Sequence, residues 1–352
     1  MTSGPVDLLA RPAAQSVRLI AQGYLDTAVQ ALERLDDPAD AEALHDFRVA
    51  LRRLRTTLRA YRPLFEDSLG KKPSKQLGKI ADSTNRVREA EAALEWLRPL
   101  TTGLTPGERV GLAWLIERIE LRRVKDTERC LTGVRRSFGA VTRKLQKGLG
   151  AYRQTVGPEP TVTDLSFAGA LTAAALEQGG ELDRLLGTVR HIEDDAAHQA
   201  RIAAKRLRYV LEPVVTTLAG ADALIDRLKK LQDLIGELHD LQELEVALRA
   251  AVGVAAAERA EQLLEATLTD AAPAGRPTRR RGRHAGLVAV GKRMRIREHE
   301  LFEALRTEWL GSHRTWARDV AALLPPAGPV ARVVPVPVAA PDVRRWSGRR
   351  PA

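Results

Sequence analysis

The sequence is poor in cysteine and in long apolar runs. Cys130 is the single cysteine among 352 residues, so an internal disulfide is excluded and a reducing environment is expected. The first residues, MTSGPVDLLARP, lack a basic segment followed by an apolar core, and no apolar run reaches the length of a membrane span. The sequence therefore predicts a soluble cytoplasmic protein with no membrane partner.

Strand and catalytic signatures are also missing. No window alternates between apolar and polar residues as a strand does, and most of the chain has helical periodicity, so we expect an all-α fold. There is no glycine-rich phosphate loop, and the dipeptide His239-Asp240, which resembles a metal phosphohydrolase pair, has no further ligands at suitable spacing. We therefore predict a protein that is not an enzyme and has no cofactor and no metal site.

The chain is basic, with 56 Lys and Arg against 45 Asp and Glu, and this charge is unevenly distributed. Residues 271–283 carry a net charge of +5 and residues 325–352 carry +4, which leaves only +2 of the total +11 for the rest. The rest of the chain separates its basic residues from acidic stretches such as residues 33–42. Because segregated charge focuses a local field, the position of the basic residues is more informative than their number.

One basic segment occurs twice. Residues 44–58, LHDFRVALRRLRTTL, recur as residues 197–211, AHQARIAAKRLRYVL, at an offset of 153 residues. Residues 77–89 and 228–240 match at the similar offset of 151 residues, so the duplication covers at least two helices in each half. We therefore predict two bundles of roughly four helices each, related by a pseudo-twofold axis.

The predicted domain boundary is the Gly- and Pro-rich segment at residues 157–160. It divides the chain into a first bundle, residues 1–158, and a second bundle, residues 159–324. Within the second bundle we expect residues 270–283 to form a mobile, arginine-rich loop. The Pro- and Arg-rich residues 325–352 cannot build a core and are expected to be disordered.

Each copy of the repeat, drawn as a helix, places a basic row beside an apolar stripe. In the first copy Phe47, Leu51 and Leu54 share one face. The basic residues that flank this face are Arg48, Arg52, Arg55 and Arg59, with His45 at the edge. In the second copy the flanking residues are Arg201, Lys205 and Arg208, with His198 at the edge. Rows that border a packed seam in both halves predict a basic groove between helices.

Carboxylates that could neutralise the first row are scarce, because Asp46 is the one acidic residue between His45 and Pro63. Like charges three and four residues apart destabilise a helix, so a segment that carries them twice is expected to bind a polyanion. The alternative is an ordinary amphipathic helix whose arginines are solvated or paired with carboxylates of other helices. Arg53 and Arg206 lie on a different helical face, where they contact ligand or serve the structure.

The motifs HDFRVALRRLR, HQARIAAKRLRYVLE and LKKLQDLIGELHDL resemble the conserved histidine α-helical domain family, known as CHAD. The resemblance covers roughly residues 10–324. It implies two four-helix bundles around a basic central groove, binding of inorganic polyphosphate, and localisation to polyphosphate granules in bacteria. The first half departs from the family pattern, since Asn85 stands for a glycine and Arg88-Glu89 for an Arg-Asp pair, whereas Gly236 and Asp240 keep the pattern in the second half.

The resemblance also implies which residues face the ligand. By position they are His45, Arg48, Arg52 and Arg55 in the first half and His198, Arg201, Lys205 and Arg208 in the second, with Lys79 and Lys230 as further candidates. Polyphosphate suits such rows because it is a line of anions without bases, which needs forked arginine donors and no stacking platform.

Two binding functions follow from these rows. The aromatic fraction of only 4% argues against single-stranded nucleic acid, where base stacking supplies much of the affinity. We therefore expect non-catalytic binding of inorganic polyphosphate. The alternative is a nucleic-acid or nucleoid-associated protein that uses the same basic surfaces together with the arginine-rich loop and tail. The low aromatic content does not exclude this alternative, because a protein can bind duplex nucleic acid through its phosphates alone.

Overall fold

The structure is a computed structural model that describes residues 8–37, 39–40, 42–66, 68–150, 166–192, 195–268 and 277–324, with residues 277–282 described by their backbone alone. The all-α prediction is confirmed: these residues contain ten α-helices and no β-strand. The helices are α1 (Ala13–Arg34), α2 (Ala43–Ala60), α3 (Lys71–Ser83), α4 (Asn85–Leu97), α5 (Pro106–Gly150), α6 (Phe167–Leu186), α7 (Asp195–Leu211), α8 (Ala221–Leu268), α9 (Pro277–Trp309) and α10 (Trp316–Leu323).

Proline and threonine set several helix boundaries. Helices α2, α4 and α7 each run into a short 3₁₀ turn that contains Pro63, Pro99 or Pro213. Proline ends these helices because it lacks the amide hydrogen that would continue the ladder. Helices α3 and α4 are separated by Thr84 alone, whose buried hydroxyl donates to the carbonyl of Ala81 at 2.7 Å. Such local side-chain bonds compete with the helical ladder, so the chain turns at this residue.

The buried apolar residues form two cores. The first core contains α1, α2, α3, α6, α7 and α10, together with the C-terminal half of α5, the start of α8 and the end of α9. In it Phe47 meets Phe138 edge to face, with ring centroids 5.1 Å apart. The second core contains α4, the N-terminal half of α5, the middle of α8 and much of α9. Helices α5 and α8, of 45 and 48 residues, therefore join both cores along their lengths.

The contact between α5 and α9 brings the two halves of the sequence unusually close together. A Cβ atom at Gly286 of α9 would collide with the backbone of Glu108 and Gly111 of α5. Only glycine lets the two backbones approach this far. The second core thus combines α4 and α5 from the first half with α8 and α9 from the second, so the halves interlock.

The segment predicted to be a mobile loop, residues 270–283, is partly helical. Helix α9 begins at Pro277, so residues 277–283 are helical and not part of a loop. The reason is that proline is favoured in the first helical turn and arginine is a good helix former. Residues 269–276, the segment 151–165 with the predicted domain boundary, and the tail 325–352 lie outside the described residues. The domain limits and the pseudo-twofold relation stay predictions.

Candidate anion-binding site

The basic row of α2 borders the first core, as its spacing indicates. Phe47, Leu51 and Leu54 are fully buried. Beside them Arg48 is buried with 7% of its surface exposed, whereas Arg52 is half-buried. An arginine stem can cover apolar surface while its guanidinium points outward, which explains how a charged row lies against a core. Arg48 therefore lies in the protein interior, and Arg52, one turn later, lies nearer the surface.

The second basic row, on α7, has the same placement. Ala200, Ala204 and Leu207 are fully buried, while Arg201 and Lys205 beside them are half-buried. Small alanines on the packed face let α7 lie close to its neighbours, which draws the stems of the basic residues inward. Both rows are thus positioned by the apolar stripes that the sequence places next to them.

Helices α2 and α7 touch, and their basic rows meet at this contact. The pKa of Lys205 falls from its ordinary 10.5 to about 6, first through burial and then through the neighbouring charges of Arg201 and Arg52. The pKa of Arg201 is also lowered by burial, which Asp240 partly offsets, and Arg52 lowers it further. Arginine and lysine side chains from both halves of the sequence therefore lie close together at the α2–α7 contact.

Arg48 extends this cluster toward α4. Burial lowers the pKa of Arg48 to about 10, and the charges of Arg52 and Arg88 act in the same direction. Its counter-charge Glu91 lies 3.8 Å from a guanidinium nitrogen of Arg48, with 43% of the Glu91 side chain exposed to water. A partly exposed carboxylate at that distance offsets only part of the charge, because water screens it.

Arg88 is a member of the cluster that the sequence analysis did not place among the site residues. Its guanidinium lies 3.3 Å from a carboxylate oxygen of Asp240, which joins α4 to α8. In the repeat with an offset of 151 residues, Arg88 occupies the position of His239. This correspondence with His239 is the sequence signal that could have pointed to Arg88.

Two histidines lie on the α7–α8 side of the cluster. The rings of His198 and His239 are 4.3 Å apart between centroids and tilted by 52°. Burial lowers the pKa of His239 to about 4, and His198, Arg201 and Lys205 add to the effect. The pKa of His198 is lowered as well, first by burial and then by Arg201. Both rings are therefore neutral at pH 7, when no anion is bound.

Comparison with known proteins assigns the chain to a family. The family model of the CHAD domain matches residues 20–249, a stretch that holds both basic helices and well over half of the chain. The chain belongs to the CHAD domain family. No curated protein is significantly similar to it in sequence.

Two solved structures share the fold. The CHAD domain of the plant Ricinus communis is 16% identical, with a TM-score of 0.61 over 90% of this chain and 95% of the plant chain. PptA from Streptomyces chartreusis is 18% identical, with a TM-score of 0.55 over 83% of this chain and all of PptA. At these identities the likeness establishes the fold alone.

Arg53 of this CHAD domain joins the two basic helices. Its Nε donates to the Glu212 carboxylate at 2.7 Å, and its guanidinium lies over the rings of Tyr24 and Tyr209. Glu212 also lies 3.2 Å from Nε of Arg208. Arg53 therefore contacts protein groups of α1 and α7. Arg208 has a carboxylate partner at 3.2 Å, whereas none of the described carboxylates forms an ion pair with Arg201 or Lys205.

The remaining candidates lie farther out. His45 at the start of α2, Arg59 near its end, Lys79 on α3 and Lys230 on α8 are exposed. Arg55 is half-buried and lies over Gly78 of α3, where a Cβ atom would come within 3.3 Å of its guanidinium. The structure thus brings Arg48, Arg52, Arg201 and Lys205 together and leaves His45, Lys79 and Lys230 at the surface.

The described residues of this CHAD domain hold clustered basic side chains and no clustered metal ligands. They contain no group of three or more His, Cys, Asp or Glu side chains placed to hold a metal ion. None of the helices in the described ranges combines the length and apolar character needed to cross a bilayer. What the cluster itself supplies is closely spaced positive charge, partly withdrawn from water, and this arrangement is suited to holding anions.

Proposed function

We propose that this CHAD domain binds inorganic polyphosphate without acting on it chemically, and that the polyanion lies along the contact between α2 and α7. The observation that carries the proposal is the meeting of Arg52 with Arg201 and Lys205 at a place where burial, and then the charges of the two arginines, lower the pKa of Lys205 to about 6. A protein gains nothing in stability from crowding positive charges in a partly dry place. An anion that relieves the repulsion explains the arrangement.

Polyphosphate fits this cluster better than an isolated phosphate does. Its phosphoryl groups repeat along a flexible chain, so a single molecule contacts arginines on α2, on α7 and on α4. Nε of Arg201 is buried and has no hydrogen-bond partner among the described residues, which leaves a donor for a phosphoryl oxygen. Charge-assisted bonds from arginine to phosphate are short, often bidentate and roughly twice as strong as neutral ones.

The proposed contacts fall into two groups. The inner contacts, which are buried or half-buried, are Arg48, Arg52, Arg55, His198, Arg201, Lys205 and Arg208. The outer contacts, which are exposed and contribute mainly long-range attraction, are His45, Arg59, Lys79 and Lys230. We further propose that the two sequence halves, divided near residue 158, each supply one wall of the groove, and that binding directs the protein to polyphosphate granules.

A competition titration tests the proposal. Labelled long-chain polyphosphate is bound at physiological salt and displaced with duplex DNA or RNA of matched charge. We expect tight binding that nucleic acid displaces poorly and that Arg48/Arg52/Arg201/Lys205→Ala abolishes. A variant with the same loss of four charges, Arg136/Arg143/Lys144/Lys147→Ala, removes exposed residues of α5 and serves as the control, which should bind as the unmodified protein does.

Three outcomes contradict the proposal. If the four α5 residues matter as much as the groove residues, binding depends on net charge alone. If DNA or RNA competes equally and the groove variant binds normally, the basic rows are structural and nucleic acid is the better candidate. Metal-dependent release of phosphate during the titration would contradict the non-catalytic part.

A further inference from the structure

The two copies of the repeat carry opposite charges at one position. Arg53 corresponds to Arg206, and Arg55 corresponds to Arg208, at the offset of 153 residues. At the same offset Arg59, near the end of α2, corresponds to Glu212, which directly follows α7. One half therefore has a carboxylate where the other half has a guanidinium.

Glu212 neutralises its end of the α2–α7 contact. It accepts a hydrogen bond from Nε of Arg53 at 2.7 Å and lies 3.2 Å from Nε of Arg208. With only 16% of its side chain exposed, Glu212 is a partly buried bridge between two arginines. Each carboxylate oxygen thus faces a guanidinium, so removing Arg53 or Glu212 would leave a partly buried charge without its partner.

At the opposite end of the α2–α7 contact lie Arg55, Arg59 and Arg206, and none of the described carboxylates bridges them. The pKa of Arg206 is lowered by burial, by the charge of Arg59 and, to a smaller degree, by that of Arg55. The acidic group whose charge partly offsets this is Glu181 of α6, which already accepts two hydrogen bonds from Arg184 at 2.7 and 2.8 Å. None of the ion pairs among the described residues joins a carboxylate to Arg55, Arg59 or Arg206.

We propose that Arg55, Arg59 and Arg206 form a second anion subsite, which takes phosphoryl groups of the same polyphosphate chain where the other half has Glu212. The proposal rests on the proposed function and adds Arg206 to the ligand contacts. It also gives the groove a direction, since one end carries its own carboxylate and the other end needs an external anion. Arg53, although equivalent in sequence, is a structural residue.

The repeat supplies a matched pair of variants. Arg206→Gln and Arg53→Gln remove the same charge at the same position of the two copies. We expect Arg206→Gln to weaken the binding of long-chain polyphosphate about tenfold, the loss typical of one charge-assisted bond. Arg53→Gln should lower the thermal midpoint and leave the affinity within about threefold, because Arg53 is held by Glu212. Equal affinities for Arg206→Gln and the unmodified protein would overturn the subsite.

A second variant, Arg59→Glu, tests the subsite even if Arg206→Gln fails to fold. Arg59→Glu places a carboxylate at the exposed position that corresponds to Glu212. We expect its thermal midpoint to rise, since Arg55 and Arg206 gain a counter-charge, and its polyphosphate affinity to fall about tenfold or more. A variant with unchanged affinity would contradict the subsite. Orthophosphate at equal phosphorus concentration separates a chain-binding subsite from a free-phosphate site, and saturation by orthophosphate alone would refute the polyphosphate assignment.

The groove variant Arg48/Arg52/Arg201/Lys205→Ala separates this proposal from the function on which it rests. If that variant loses binding while Arg206→Gln and Arg59→Glu bind normally, the polyphosphate function stands and the subsite fails. If the groove variant binds as the unmodified protein does, the proposed function fails first. Loss of affinity in all three, with Arg53→Gln unaffected, supports both.

Discussion

Lys205 gives the most direct test of the electrostatic reasoning, because its replacement should make the protein more stable and less able to bind. Lys205→Met keeps most of the side-chain volume and removes the amine. In the folded protein the pKa of Lys205 is about 6, against 10.5 in the unfolded chain. At about 1.36 kcal/mol per pKa unit, this difference amounts to about 6 kcal/mol of lost stability below pH 6, and to about 5 kcal/mol at pH 7.

The sign of the pH dependence follows from proton counting. Between pH 6 and 10.5 the unfolded chain binds more protons at Lys205 than the folded protein does, so stability rises with pH in this window. The advantage of Lys205→Met is therefore complete below pH 6, shrinks as pH rises, and vanishes above pH 10.5. Because relaxation and water reduce such penalties, we expect a gain of about 1–3 kcal/mol at pH 7.

Denaturant unfolding at pH 7, 8, 9 and 10 measures this difference, and a polyphosphate titration at pH 7 measures binding. The pKa values of His198 and His239 are lowered, so both stay neutral over this range and do not complicate the slope. Lys230→Met is the control, since Lys230 is exposed and its removal should change stability by less than about 0.5 kcal/mol. A destabilised Lys205→Met protein, or a gain that does not shrink with pH, would refute the reasoning.

Two further predictions follow from the same structure. Polyphosphate binding should take up close to one proton at pH 8, because the anion restores the charge of Lys205; calorimetry in buffers of different ionisation enthalpy measures this uptake, and equal uptake by Lys205→Met would assign it to another group. Gly286→Ala should lower the free energy of unfolding by about 1–3 kcal/mol, since its Cβ meets the backbone of α5, while polyphosphate affinity stays the same; an unchanged denaturation midpoint would show that α9 shifts freely.

The helices and the two basic rows could be read from the sequence because they depend on local periodicity. An apolar residue every three or four positions, as in Phe47, Leu51 and Leu54, specifies both a helix and its buried face. The position of Arg48 and Arg52 beside that face follows without any tertiary information. Helix boundaries are harder to predict from the sequence. The arginine-rich segment that begins at Pro277 has the composition of a loop and is nevertheless helical.

The sequence by itself determined the all-α class, the repeated basic helices and the scarcity of acids near the first of them. Only the tertiary structure decided which of these arginines meet. It brings Arg52 to Lys205, turns Arg53 toward Glu212 and leaves His45 at the surface. The physical reason is that burial and charge–charge distance depend on contacts between α2 and α7, which lie some 150 residues apart in the chain, whereas periodicity involves only neighbouring turns of one helix.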